Sequence, residues 1–99
     1  MIRHSVHFTL AATDTAERAA ALEGITTRLE ALVGVIPGLH SLKISGDIGK
    51  LDGNADVILV SDHDDNAALE AYQAHPAHLE AGAYVRSVIS GRSTVDYEV

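Results

Sequence analysis

The sequence predicts an α+β fold: a ferredoxin-like, split βαβ sandwich in which a four-stranded antiparallel sheet carries its helices on one face. Three observations predict it. Four stretches have the spacing or composition of strands, and the regions between them have the three- and four-residue apolar steps of helices. Their order is strand, helix, strand, strand, helix pair, strand, which in 99 residues matches that arrangement. The third strand is apolar on both sides, so both faces of the sheet need cover. The helices supply one cover, and a second copy of the chain is the simplest second one, since two-fold dimers are the commonest oligomers.

The elements follow in order. Over residues 2–10, Ile2, His4, Val6, Phe8 and Leu10 alternate with Arg3, Ser5, His7 and Thr9, so the first set reads as a core face carrying one histidine. Asp14 and Glu17 stand three apart, as in a capping box. Leu22, Ile25, Leu29, Leu32 and Ile36 then continue a helical stripe, and the helix is expected to run until Pro37-Gly38 forces the chain out of the αR region. Residues 39–48 alternate again through Leu42 and Ile44, residues 49–54 form a turn, and residues 55–61 hold the dense run Val57-Ile58-Leu59-Val60. Residues 62–66 read as a polar loop with several N-cap residues, which places His63 on the surface. Residues 67–72 form a short helix. Pro76 suits the first position of another, where its missing N–H costs nothing. That helix carries Leu79, Ala83, Val85, Val88 and Ile89 and ends at Gly91, and residues 94–99 make the last strand.

Composition narrows the classes of function. Apolar residues make up 46% of the chain and charged residues 21%, the balance of a globular domain rather than a disordered one. One domain spanning residues 1–99 is expected. The absence of cysteine excludes disulfides, thiolate metal sites and cysteine nucleophiles. A formal net charge of −7, with no Lys/Arg cluster, argues against a nucleic-acid partner. The first residues lack the apolar core of a signal peptide, and no apolar run approaches the roughly 20 residues of a membrane span. A cytoplasmic location without a membrane partner is therefore expected.

The segment Tyr72-Gln73-Ala74-His75-Pro76-Ala77-His78 carries the most chemistry. With Pro76 first in its helix, His75 falls at the N-cap and His78 in the first turn, where free N–H groups and the helix dipole disfavour added positive charge. A neutral imidazole there suits a general base. Tyr72 closes the preceding helix, and a bend at residues 73–75 brings its hydroxyl toward the same place, as a hydrogen-bond donor to a carbonyl oxygen. Both side chains also have plain structural readings, His78 as a partner of a backbone group and Tyr72 as core packing. His75 and His78 share a usable metal-ligand spacing, but no third ligand accompanies them. Neither a metal nor a cofactor is expected. No phosphate-binding glycine loop or nucleophile elbow occurs.

At this point several segments resemble one family. Arg3-His4-Ser5-Val6-His7-Phe8, Val35-Ile36-Pro37-Gly38-Leu39, Ala55-Asp56-Val57-Ile58-Leu59-Val60, Ala71-Tyr72-Gln73-Ala74-His75-Pro76-Ala77-His78 and Thr94-Val95-Asp96-Tyr97 are similar, in order, to the stress-responsive dimeric α/β-barrel (Dabb) domain. The resemblance implies a face-to-face homodimer, a dimeric α+β barrel, with a small-molecule pocket between sheet and helices in each subunit. From residue 55 onward the likeness is greatest to polyketide cyclases of that family. It implies Tyr72 and His78 as catalytic residues and His4, Val6, Phe8, Leu29, Leu59, Gly82 and Arg92 as substrate-binding ones. Where those cyclases have pocket aromatics this chain offers Thr26, Leu29, Ala81 and Ile89. Arg92 and Thr94 stand where they are apolar, and Tyr84 is larger than its counterpart. A more polar pocket end is implied, and an Arg92 that reaches the cavity favours an anionic ligand.

The expected function is thus a small-molecule-binding dimer acting as a cofactor-independent acid/base enzyme, with cyclase-like aldol or lyase chemistry on a carbonyl compound. The alternative is a non-catalytic, stress-responsive ligand-binding or structural dimer. An oxygenase is a third reading, for which no axial-ligand pattern stands out. Family membership alone does not choose between them.

Overall fold

The computed structural model describes residues 1–99. The chain forms β1 (Ile2–Leu10), α1 (Thr15–Glu30), β2 (Leu39–Gly46), β3 (Val57–His63), α2 (Asn66–Ala74), α3 (Pro76–Val88) and β4 (Ile89–Glu98). The sheet runs β2-β3-β1-β4, with every neighbouring pair antiparallel. This is the ferredoxin-like fold. No helix is long and apolar enough to cross a membrane.

Alternation in β1 drives one face inward: His4, Val6, Phe8 and Leu10 are buried. They meet the α1 stripe of Ala21, Ile25 and Leu29, of which Ile25 is fully buried. The Asp14 side chain caps α1 by accepting the Glu17 N–H at 2.9 Å. At the same corner Asp56, leading into β3, accepts the Leu10 N–H at 2.8 Å and the Arg18 guanidinium at 2.6 Å. Burial pushes the Asp56 carboxyl up, but these donors outweigh it and hold the pKa below its ordinary value.

Three boundaries and the buried face of one helix differ from the sequence reading. First, α1 ends at Glu30, well short of Pro37. Gly34, at φ +86°, cannot continue a right-handed helix, so residues 31–36 form successive turns. Leu32 and Ile36 stay buried because these turns preserve the helical spacing, with the Ile36 N–H donating to the Leu32 carbonyl at 3.1 Å.

Second, β3 runs on to His63, and His63 is fully buried rather than on the surface. The pleat explains it: Val57, Leu59, Ser61 and His63 share one face. Third, α3 stops at Val88 and passes into β4 without a loop. Pairing with β1 captures the chain from Ile89 onward, past a bulge beside Thr9 and Leu10. Fourth, the buried residues of α3 are Ala81 and Val85, whereas Leu79 is 53% exposed.

Gly38 opens β2 at φ +84°, and a Cβ there would lie 2.8 Å from the Ala68 Cβ of α2. Both the left-handed backbone and the contact oppose a side chain. Gly38→Ala is expected to destabilise the fold by about 2 kcal/mol or more, read as a lowered denaturation midpoint. An unchanged midpoint would mean that α2 does not press on this corner.

Strand register also defines the face without helices. Arg3, Ser5 and His7 lie there beside Asp62, Val60 and Ile58 of β3 and Tyr97, Val95 and Ser93 of β4. Arg3 and Asp62 form a bidentate pair at 2.8 and 3.0 Å. This pair raises the Arg3 pKa and lowers that of Asp62. The Arg3 and Asp62 charges are matched within the face, and Ile58, Val60, Val95 and Tyr97 form an apolar patch on it among Ser5, His7, Ser93 and Lys43.

Candidate functional site

The helix-facing side of the sheet builds the floor of a site row by row. Ser61, His4 and Asp96 are register partners across β3, β1 and β4. Leu59, Val6 and Thr94 form the next row, and Val57, Phe8 and Arg92 the third. Asp96 sits directly beside His4, and the His4 Nδ1–H donates to its carboxylate at 2.5 Å.

The helix pair supplies the roof. On a continuous helix, residues 72 and 78 would lie about 9 Å apart along the axis and on different faces. The chain instead breaks at His75, whose backbone is extended at φ −65° and ψ 135°. Its Nδ1 accepts the Ala77 N–H at 3.0 Å, and Pro76 starts the new helix. The bend brings the Tyr72 and His78 rings to 4.4 Å between centroids. On its other side Tyr72 meets His63 at 4.7 Å, and His4 lies 6.3 Å away.

A small cavity of about 70 Å³ opens among these groups, lined by His4, Val6, Phe8, Leu29, Leu59, Tyr72, His78, Gly82, Val85, Arg86, Ile89 and Arg92. All nine residues named from the sequence as catalytic or substrate-binding therefore line one cavity. Val85, Arg86 and Ile89 join them. Ser61, His63 and Asp96 adjoin the cluster from the sheet. His40 lies on the surface, paired with Asp64.

Three buried polar atoms lack a partner: Tyr72 Oη, His78 Nδ1 and His63 Nδ1. Buried polar groups are normally satisfied, so unpaired ones mark places where a further polar group fits. Burial pushes the Tyr72 hydroxyl well above its ordinary pKa, with Arg92 opposing, so it keeps its proton and acts as a donor. Burial is the main force lowering the His78 pKa. Charge on His4, Arg92 and Arg86 adds to it, and a backbone interaction with Gln73 pulls the other way. His63 is likewise held down, chiefly by burial and then by His4. Its Nε2 lies 2.9 Å from Ser61 Oγ. A neutral base and a protonated phenol thus stand side by side.

These shifts make stability depend on pH. An unfolded histidine takes a proton below about pH 6.5, whereas folded His63 and His78 stay neutral to lower pH. Their contribution is complete above the unfolded pKa and is lost as pH falls toward the folded values. His63→Phe keeps an aromatic ring and removes one titration, so it is expected to flatten the fall in stability on acidification. Denaturation at about pH 7.5 and about pH 5.5, on either side of the imidazole range, measures it. An unaltered slope would show that His63 is not held neutral.

The family model described as the stress responsive A/B barrel domain, Dabb, matches residues 2–99. No curated protein matches the sequence. A dimeric ferredoxin-like protein of unknown function from Thermobifida fusca is 32% identical, with 99% of this chain and 90% of that one covered and a TM-score of 0.83. A dimeric protein of unknown function and ferredoxin-like fold from Bacteroides fragilis is 23% identical over 99% of this chain and 95% of that one, with a TM-score of 0.88. The hydroxynitrile lyase of Passiflora edulis is similar in fold at 15% identity, covering 99% and 92% of the two chains with a TM-score of 0.81.

Proposed function

We propose, on the premise that this chain belongs to the stress responsive A/B barrel (Dabb) domain family, that it is a homodimeric small-molecule-binding protein performing acid/base chemistry beside a carbonyl group. One observation carries the reading. Tyr72 Oη and His78 Nδ1 are buried and unpartnered, and their rings stand 4.4 Å apart on one cavity wall.

In the step proposed, neutral His78 takes a proton from the carbon next to a carbonyl. The C–H electron pair moves to form an enolate, and the Tyr72 hydroxyl donates to the oxygen as its charge grows. His78 then holds that proton as an imidazolium, and His4, held by Asp96, borders the same space. The enolate carbon then attacks a second carbonyl in an aldol reaction, the C=O electron pair moves to its oxygen, and that oxygen takes the proton His78 holds; the reverse sequence breaks the same bond as a lyase step. None of these steps calls for a cofactor.

The homodimer rests on the apolar patch of Ile58, Val60, Val95 and Tyr97 on the open face of the sheet and on the dimeric state of the Thermobifida and Bacteroides proteins. A ligand-binding dimer without turnover is the second reading. It is favoured by the cavity volume of about 70 Å³, below the roughly 300 Å³ at which small-molecule pockets begin. The exchange of the central protons of acetylacetone into deuterated water, followed by NMR, separates the two. Exchange faster than in buffer supports acid/base chemistry, and exchange at the buffer rate removes it.

A further inference from the structure

The cations of this chain are distributed unevenly. Of its seven lysines and arginines against fourteen acids, Arg3 and Arg18 sit in carboxylate pairs and Lys43 approaches Glu30. Arg28 lies 3.7 Å over the Tyr84 ring. Arg86 and Arg92, like Arg28 and the loop residue Lys50, have no carboxylate partner, although the chain carries a net charge of −7. Of these, Arg86 and Arg92 line the one cavity that holds Tyr72 and His78.

Their placement follows from the fold. Arg86 is on α3 and Arg92 on β4, on either side of the loopless junction. Gly82, one helical turn before Arg86, has no side chain. A Cβ there would stand 3.3 Å from Arg86 Nη1, so the glycine leaves room for the guanidinium to fold back over the cavity. Arg92 is the register partner of Phe8, on the helix-facing side of a strand end that no helix covers. Its Nη2 donates to Thr94 Oγ1 at 2.9 Å, which turns the guanidinium along β4 and leaves its other N–H groups free. Both side chains are exposed, so their tips can swing and widen the mouth.

We infer that Arg86 and Arg92 form an anion subsite at the mouth, and that the ligand is an amphipathic carboxylate. Its acid group meets the two guanidiniums, and its carbon chain passes inward between Val6, Phe8, Leu59 and Ile89. The inference rests on the pocket reading above and names the class of molecule that reading lacks. Arginine suits the role because its planar fork matches a carboxylate with two parallel hydrogen bonds. A carboxylate placed there brings the atoms a few bonds along its chain toward Tyr72 and His78, whose unpaired polar atoms await a carbonyl. It also lessens the positive charge facing His78. The site thus favours acids with a ketone further along the chain over the corresponding neutral compounds.

Hexanoate and methyl hexanoate, titrated into the full chain at low salt and followed by amide NMR, test this. Neither has a ketone for the imidazole and phenol to act on, so their binding reads the mouth alone. Hexanoate is expected to bind at least about tenfold more tightly than the ester, the contribution of one charge-assisted hydrogen bond. The double variant Arg86→Gln/Arg92→Leu is expected to lose that preference, hexanoate then binding no more tightly than the ester, and Arg86→Lys/Arg92→Lys to keep part of it. Equal binding of acid and ester by the wild type, binding of neither, or a preference that survives the double variant would each overturn the inference. A clear preference without acetylacetone exchange would support the subsite and count only against the acid/base reading.

Discussion

Replacing His78 by glutamine is expected to slow enzyme-promoted exchange beside a carbonyl by about a hundred- to ten-thousand-fold, the usual contribution of a positioned general base. Glutamine keeps much of the volume and some hydrogen-bonding capacity, so the loss reports the base rather than a collapsed wall. Tyr72→Phe should cost on the order of a hundredfold, as loss of a single donor to a developing oxyanion does. Stability separates this role from packing. The Tyr72 hydroxyl is buried with no partner, so its removal relieves a desolvated polar group and should leave the fold as stable or more so. A hydroxyl serving structure would show the opposite, with stability lost and exchange retained. Because the two side chains act on one proton transfer, the double variant should lose little more than His78→Gln alone.

On the homodimer proposed above, a single acidic substitution on the open face of the sheet is expected to leave the protein monomeric. Val60 lies mid-strand in β3, half-buried, with Ser5 on one side and Lys43 on the other. A glutamate there finds Lys43 across the strand pair, so the isolated subunit tolerates Val60→Glu. Pressed against a second copy, the same carboxylate loses water without a new partner. Such a burden of about 3–5 kcal/mol weakens association more than a hundredfold. Val95→Glu, at a side chain 64% exposed in the subunit, should act the same way without touching the core. Light scattering after size-exclusion chromatography reads both. A dimer that persists in both variants would place the contact elsewhere.

Where local rules govern, the residues announced the structure. The alternation in β1, the Asp14 cap of α1 and the His75-Pro76 start of α3 each depend on a few neighbouring positions, and each stands as expected. Where long-range pairing governs, they did not. β4 takes Ile89 and Gly91 from the expected end of α3 because β1 offers an unpaired edge, and helical spacing carries no trace of that edge. Asp96 became a neighbour of His4 only once the strand order put residue 96 beside residue 4. Arg86 entered the cavity through a helix face misjudged in the sequence, where Leu79 looked apolar enough to be inside.

His63 is a different case. Its signal was present in the two-residue period from Val57 through Leu59 and Ser61. The polar run that follows drew the strand end two residues too early. The nine residues assigned to the pocket came from the family resemblance. Strand parity accounts for His4, Val6, Phe8 and Leu59 and the Pro76 bend for Tyr72 and His78, whereas Arg92, read between two elements, reaches the cavity through the long-range pairing of β4 with β1.

The uncovered end of β4 separates two demands that usually compete. Seventeen buried hydrophobic residues hold the fold, and neither Arg92 nor Thr94 belongs to them. Exposed positions of this kind usually change stability by no more than about 0.5 kcal/mol when substituted. On the pocket reading proposed above, the mouth can therefore be rewritten residue by residue while the subunit keeps folding, so that selection, natural or in the laboratory, can trade one class of guest for another along a single strand.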